Sequence, residues 1–172
     1  DPLNPGAGQV VTASDTYNVA LASAGLSANT TYYCRAAGVN KDGVATNYTA
    51  VQATATWADI PAFLSFTAVG VNAITLNWSD GANPLGTLTR ILVSTAPEPL
   101  NPGGAVVTSS ETYEVSFTSS GLTADTVYYF TATDINHGGR LSTYMAAHGT
   151  STLVEFPPVF TNFTGVASGA IQ

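Results

Sequence analysis

The side chains best equipped for chemistry are few, and their spacing argues against a reaction centre. An activated nucleophile needs Ser or Cys beside a base, with an acid to orient that base. His137 and His148 are the only histidines. His137 falls in "NHGG", a turn whose earlier copy in the chain carries Lys41, so it reads as an exchangeable, exposed turn residue. No His or Cys pair has zinc spacing, and no Asp run resembles an oxygen-rich calcium loop. Catalytic, cofactor and metal sites are all expected to be absent. Cys34 is the single cysteine; it reads as a small buried hydrophobe and leaves the redox compartment open. Asn-x-Ser/Thr triplets at Asn29, Asn47, Asn77 and Asn162 are candidate glycosylation sites, although a chain so rich in Asn, Ser and Thr also produces such triplets by chance.

The composition narrows the partners. The 172 residues are 45% hydrophobic, ordinary for a chain that buries a core, but only 9% charged, far below the usual quarter. The formal charge is -7, and the cations Arg35, Lys41, Arg90 and Arg140 are scattered rather than clustered. Neither nucleic acid nor anionic lipid would find an electrostatic footprint here. No apolar run approaches the length of a spanning helix, so no membrane insertion is expected, and any targeting or anchoring segment is expected outside this sequence. Scarce Lys with abundant Thr and Ala is the compositional habit of secreted and cell-surface proteins, which places the chain outside the cell or on its surface.

Internal repetition organises the chain. "DPLNPGAGQVVTASDTYNV" returns as "EPLNPGGAVVTSSETYEV", and "SAGLSANTTYYCRAAGVNKDG" returns as "SSGLTADTVYYFTATDINHGG" about 96 positions later. "IPAFLSFTAVGVNAIT" from Ile60 is answered by "FPPVFTNFTGVASGAIQ" from Phe156. The repeats divide the chain into the C-terminal part of a module (1–58), a complete module (60–155) and the first strand or strands of another (156–172). Prolines in "ADIPAF" and "VEFPPVF" mark the joints, since Pro fixes φ and withholds a ladder donor. The linkers are therefore expected to be short and stiff.

Within the complete module the period is two. "AITLNW" puts Ile74, Leu76 and Trp78 on one face, "TYEVSF" groups Tyr113, Val115 and Phe117, and "TVYYFTATDIN" groups Thr126, Tyr128, Phe130 and Ala132. Gly, Pro, Asn and Asp clusters separate these runs as turns, and no stretch carries a helical stripe. The pattern predicts an all-β sandwich. By alternation Trp78, Tyr32, Tyr128, Phe130 and Cys34 form the structural core. Tyr33, Tyr129, Tyr48 and Tyr144 are the better candidates for a contact surface, with cross-strand packing the competing use.

Pro61, Trp78, Leu122, Thr126, Tyr128, Asn136 and Gly139, and in the first part Leu26, Thr30, Tyr32, Asn40 and Gly43, resemble the fibronectin type III pattern: a Pro near the start, a Trp closing the second strand, then L-x-x-x-T-x-Y and N-x-x-G. The resemblance covers essentially the whole chain. It implies tandem immunoglobulin-like sandwich modules of seven strands in two sheets, with Trp78 in the core and the Tyr of T-x-Y forming a corner whose hydroxyl bonds nearby backbone. The Pro frequent in the family's EF loop is Ala28 and Ala124 here, a departure that bears on stability. The family's adhesive Arg-Gly-Asp is absent, the corresponding loops reading "NKDGVA" and "NHGGRL". A Lys–Asn isopeptide staple is excluded in the complete module, which has no Lys.

These readings point to a non-enzymatic extracellular structural or interaction protein, its modules strung into a stalk, fibre, filament or adhesin. The alternative is a spacer array within a secreted polysaccharide-degrading enzyme. The expected partners are neighbouring modules or other copies of the chain; no carbohydrate or protein ligand can be named. The chain ends do not coincide with module ends, which fits either a window on a longer array or a subunit that exchanges strands with its copies.

Overall fold

The computed structural model describes residues 13–100 and 106–156. All regular structure among them is β. The strands β1 (Thr31–Cys34) and β2 (Gln52–Ala55) pair antiparallel with each other alone. The next seven are β3 (Ala62–Thr67), β4 (Ala73–Ser79), β5 (Leu88–Ser94), β6 (Val106–Thr112), β7 (Ser116–Ser120), β8 (Val127–Ile135) and β9 (His148–Ser151). They form a three-stranded sheet in the order β3-β4-β7 and a four-stranded sheet in the order β6-β5-β8-β9, with every pairing antiparallel. The expected immunoglobulin-like sandwich is therefore present at residues 62–151.

Alternation builds its core. Ile74, Leu76 and Trp78 on β4 meet Ile91 and Val93 on β5 and Tyr128, Phe130 and Ala132 on β8, all buried. Trp78 is 1% exposed and Phe130 fully covered. On β3 the register slips between Phe63 and Ser65. That bulge turns both Phe63 and Phe66 towards the core, where strict alternation would put residues three apart on opposite faces, and it leaves Leu64 outside. One grouping read from alternation fails. Tyr113 and Val115 lie in the bend before β7 and are exposed, while Phe117 alone packs against the core. The chain reverses direction there, so period two does not run through "TYEVSF".

The sequence repeat is a repeat of hydrogen bonds. Thr126 Oγ1 donates to the Ala124 carbonyl and the Thr126 amide to Thr152 Oγ1, at 2.9 and 3.0 Å; Thr30 does the same with Ala28 and Thr56 at 2.8 and 3.0 Å. The Thr123 amide donates to the Tyr128 hydroxyl at 3.0 Å, and the Ser27 amide to the Tyr32 hydroxyl at 2.9 Å, which gives both parts the expected tyrosine corner. Asn136 Oδ1 accepts from the Gly138 and Arg140 amides, as Asn40 Oδ1 accepts from Asp42 and Val44. Local sequence thus fixes these turns whether or not a second sheet lies above them.

The second sheet matters for burial. Phe130 is covered by β4 and by Phe66, whose ring centroid is 5.2 Å away. Cys34 holds the matching place on β1 but is exposed, and Tyr32 is only half-buried. The expected burial of these two is corrected: among the described residues nothing corresponding to β3, β4 and β7 lies over β1. The stretch 156–172, read as the start of a further module, lies outside the described residues apart from the exposed Phe156.

Candidate functional site

The residues that could do chemistry are not brought together. His137 sits exposed in the β8–β9 turn, and His148 opens β9 with its ring stacked on Phe63 at 3.9 Å. Among the described residues no group of three or more His, Cys, Asp or Glu could hold a metal. An open groove on the four-stranded sheet is lined by Pro97, Glu98, Pro99, Thr131, Met145 and Ala147; it contains neither histidine nor cysteine. Of the tyrosines, Tyr129 lies over its cross-strand partner Gly149, where an added Cβ would sit 2.8 Å from the ring. Tyr48 lies under the Arg35 guanidinium at 4.8 Å, Tyr144 is half-buried, and Tyr33 is exposed.

The candidate glycosylation sites separate in the same way. Asn47 is exposed. Asn77 is half-buried on the outer face of the three-stranded sheet, its Nδ2 donating to Thr67 Oγ1 at 3.0 Å. Asn162 lies outside the described residues. Asn29 is corrected: it is fully buried, with both ends of its amide engaged, and leaves no room for a glycan.

Asn29 instead belongs to the richest constellation in the structure, the junction where the β1–β2 part meets the complete sandwich. It takes a left-handed backbone conformation, φ 42°, which Asn tolerates better than most residues. From there its Nδ2 donates to Thr87 Oγ1 at 2.9 Å and its Oδ1 accepts the His137 amide at 2.7 Å. Asn136 Nδ2 reaches back to the Thr56 carbonyl at 2.9 Å, and the Arg140 guanidinium stands 5.8 Å from the centre of the Trp57 ring.

A second set of bonds clasps the linker itself. Asn83 Oδ1 accepts the Asp59 amide at 2.7 Å, and Asn83 Nδ2 donates to the Asp59 carbonyl at 3.2 Å and to Asp134 Oδ2 at 2.8 Å. Asp59 Oδ2 accepts the Ala82 amide at 3.0 Å. Gly81 makes room for that carboxylate: it has φ +62°, and a Cβ there would lie 2.6 Å from Asp59 Oδ2. Ala58 and Pro61 are buried on either side. Asp134 anchors the clasp from beneath, with Thr89 Oγ1 donating to its Oδ1 at 2.7 Å. Burial pushes the Asp134 carboxyl up to about 6; the Thr89 and Asn83 donors act against that rise, and nearby Asp80 and Asp59 add to it. Burial also raises Asp80, opposed by the Trp78 indole that donates to it at 3.0 Å.

Sequence reasoning named Asn136 only as a pattern residue and missed Asp59, Asn83, Thr87 and Asp134. The available signal was asymmetry between the copies, since Asn29 aligns with Asp125 and Lys41 with His137.

Three strands against four, antiparallel throughout, with a buried Trp on β4 and a tyrosine corner before β8, decide the architecture. The fold is that of a fibronectin type III module. Solved fibronectin type III structures are similar to it. A domain derived from human KIAA0970 protein shows 16% identity and a TM-score of 0.46, covering 63% of this chain and 85% of that one. A domain of human fibronectin type III domain containing protein 3 shows 21% identity and a TM-score of 0.45, covering 60% and 93%. Domains d3-d4 of the rat CD45 extracellular region show 16% identity and a TM-score of 0.48, covering 82% and 76%. No protein-family model matches the chain, and no curated protein matches it in sequence.

Proposed function

We propose that the chain is a non-enzymatic extracellular structural or interaction protein, whose fibronectin type III-like modules are joined end to end at stiff, sequence-specific junctions. The observation that carries this reading is the clasp. Only residues 56–61 separate β2 from β3, and the chain between Thr56 and Pro61 is held by bonds to Asn136 and Asn83, by contact of Asp59 with the Gly81–Ala82 turn, and by burial of Ala58 and Pro61. A loose tether needs none of these bonds. A buried amide, by contrast, is costly to leave unpaired and so specifies one orientation. The sparse charge and the scattered chemistry-bearing residues fit a protein that works through reach and stiffness.

The test is a distance distribution between a spin label on Cys34, which is exposed, and a second on Ser151→Cys at the far end of the sandwich, diluted with unlabelled chain. One narrow distance is expected, broadening in the Asn29→Ala/Asn83→Ala double variant. A distribution already broad in the parent chain would overturn the reading.

A further inference from the structure

We infer that the junction is a pH-graded hinge, clasped most firmly in mild acid, when the Asp134 carboxyl carries its proton, and released more often as pH rises through neutrality. The inference rests on the stiff-junction reading above and adds a regulation to it.

Asp134 is an unusual residue for its row. On β8 the side chains of Tyr128, Phe130 and Ala132 enter the core, and Asp134 continues the same face, in register with Thr89 of β5. It is fully buried. In the earlier copy of the sequence the matching position is Gly38, in "RAAGVN" against "TATDIN", and the Asn turn that follows forms there all the same. The turn therefore does not call for a carboxyl.

The carboxyl belongs to the hinge instead. Asn83 ties it to the linker: its Nδ2 donates to Asp134 Oδ2 at 2.8 Å and to the Asp59 carbonyl at 3.2 Å, and its Oδ1 accepts the Asp59 amide at 2.7 Å. Burial opposes ionisation of Asp134 most strongly, and the carboxylates of Asp80, in the turn after β4, and of Asp59, on the linker, add to that opposition. β5 supplies the Thr89 hydroxyl. Among the described residues no cation pairs with any of the three carboxylates: Arg90 is bound to Glu111, Arg140 stands at the Trp57 ring, and His137 gives its amide to Asn29. Ionised, the site holds like charges on both sides of the joint, one of them buried. With a proton, Asp134 keeps both bonds, accepting from Asn83 and donating to Thr89, whose own proton turns away.

The smallest opening that relieves the buried charge is local. Withdrawal of the linker breaks the bonds from the Asp59 amide to Asn83 and from the Ala82 amide to Asp59. It carries the Asp59 charge away and admits water to Asn83 and Asp134, while the core around Trp78, Ile91 and Phe130 stays packed. A carboxyl that titrates at about 6 when clasped and near 4 when released favours opening as pH rises between those values. The opening equilibrium then shifts by at most about 20-fold between pH 4.5 and 7.5; screening at the edge of the junction reduces this to about tenfold.

Native-state hydrogen exchange of the 1–172 chain, read by NMR at pH 4.5 and 7.5 as protection factors corrected for the intrinsic pH dependence, tests the hinge. The Asp59 and Ala82 amides should be about tenfold less protected at pH 7.5, and at both pH values less protected than the amides that pair β5 with β8. In Asp134→Asn the protection of Asp59 and Ala82 should be the same at the two pH values. Equal protection at both pH values in the parent overturns the inference. So does a loss confined to the β5–β8 amides, or junction amides as protected as those of β5–β8, because either assigns release of Asp134 to global unfolding. A pH dependence that survives in Asp134→Asn overturns it as well, by assigning the effect to other groups. All of these outcomes leave the spin-label distance narrow, whereas failure of the stiff junction itself broadens that distance at both pH values.

Discussion

Replacing Asp134 by Asn should stabilise the protein at neutral pH and flatten its response to acid. The carboxyl is held near 6 by burial, whereas in an unfolded chain it titrates near 4. The folded state therefore binds more protons at this carboxyl than the unfolded state does between those values, so the contribution of Asp134 to stability is greatest below about pH 4 and is lost as pH rises through 6. Fully expressed, the difference costs about 3 kcal/mol at pH 7; screening at the edge of the junction reduces it to roughly 1–2 kcal/mol. Asn at 134 keeps the geometry, because its Oδ1 still accepts from Asn83 and its Nδ2 can donate to Thr89, whose hydroxyl then turns its own proton away. Urea unfolding of both proteins at pH 4.5 and 7.5 isolates the effect as a difference of differences, so that carboxylates common to both cancel. The parent should lose more stability than Asp134→Asn between the two conditions, and the variant should be the more stable at pH 7.5. Parallel pH responses would refute the reasoning, as would a variant weaker than the parent at pH 7.5.

Trp78→Ala should cost about 3–5 kcal/mol, as expected for a large core side chain, in urea unfolding; Trp78→Phe, which removes the bond to Asp80 and part of the ring volume but keeps an aromatic ring in the core, should cost less than Trp78→Ala. Tyr128→Phe removes the acceptor of the Thr123 amide and should cost about 1 kcal/mol, with thermal unfolding as the readout and an unchanged midpoint counting against the corner. Gly81→Ala places a methyl against Asp59 at a positive φ and should cost about 1–3 kcal/mol; the spin-label distance across the junction should broaden with it.

Local features were legible and opposed surfaces were not. The alternation of β4 located the core strand, the clusters of Asn and Gly located both Asn-Gly turns, and the family resemblance implied both tyrosine corners; the corners and turns were legible because each is closed by residues near in sequence. Cys34 was misplaced because burial belongs to what lies across from a strand, and alignment with Phe130 carries no information about that. Asn29 read as a glycosylation triplet because its partners, Thr87 and His137, lie far along the chain. The Asp59–Asn83–Asp134 clasp is hidden for the same reason: its members come from the linker, the turn after β4 and the end of β8. Tyr113 and Val115 kept period two by composition across a bend that breaks it in space.

The central claim, a rigid union of the β1–β2 part with the complete sandwich, is tested most directly by backbone 15N relaxation of the chain. Amides of β1–β2 and of β3–β9 should report one shared tumbling time, with the linker amides of Thr56 to Ile60 as ordered as the strands. Two distinct tumbling times, or a linker with markedly lower order than its flanking strands, would contradict the account.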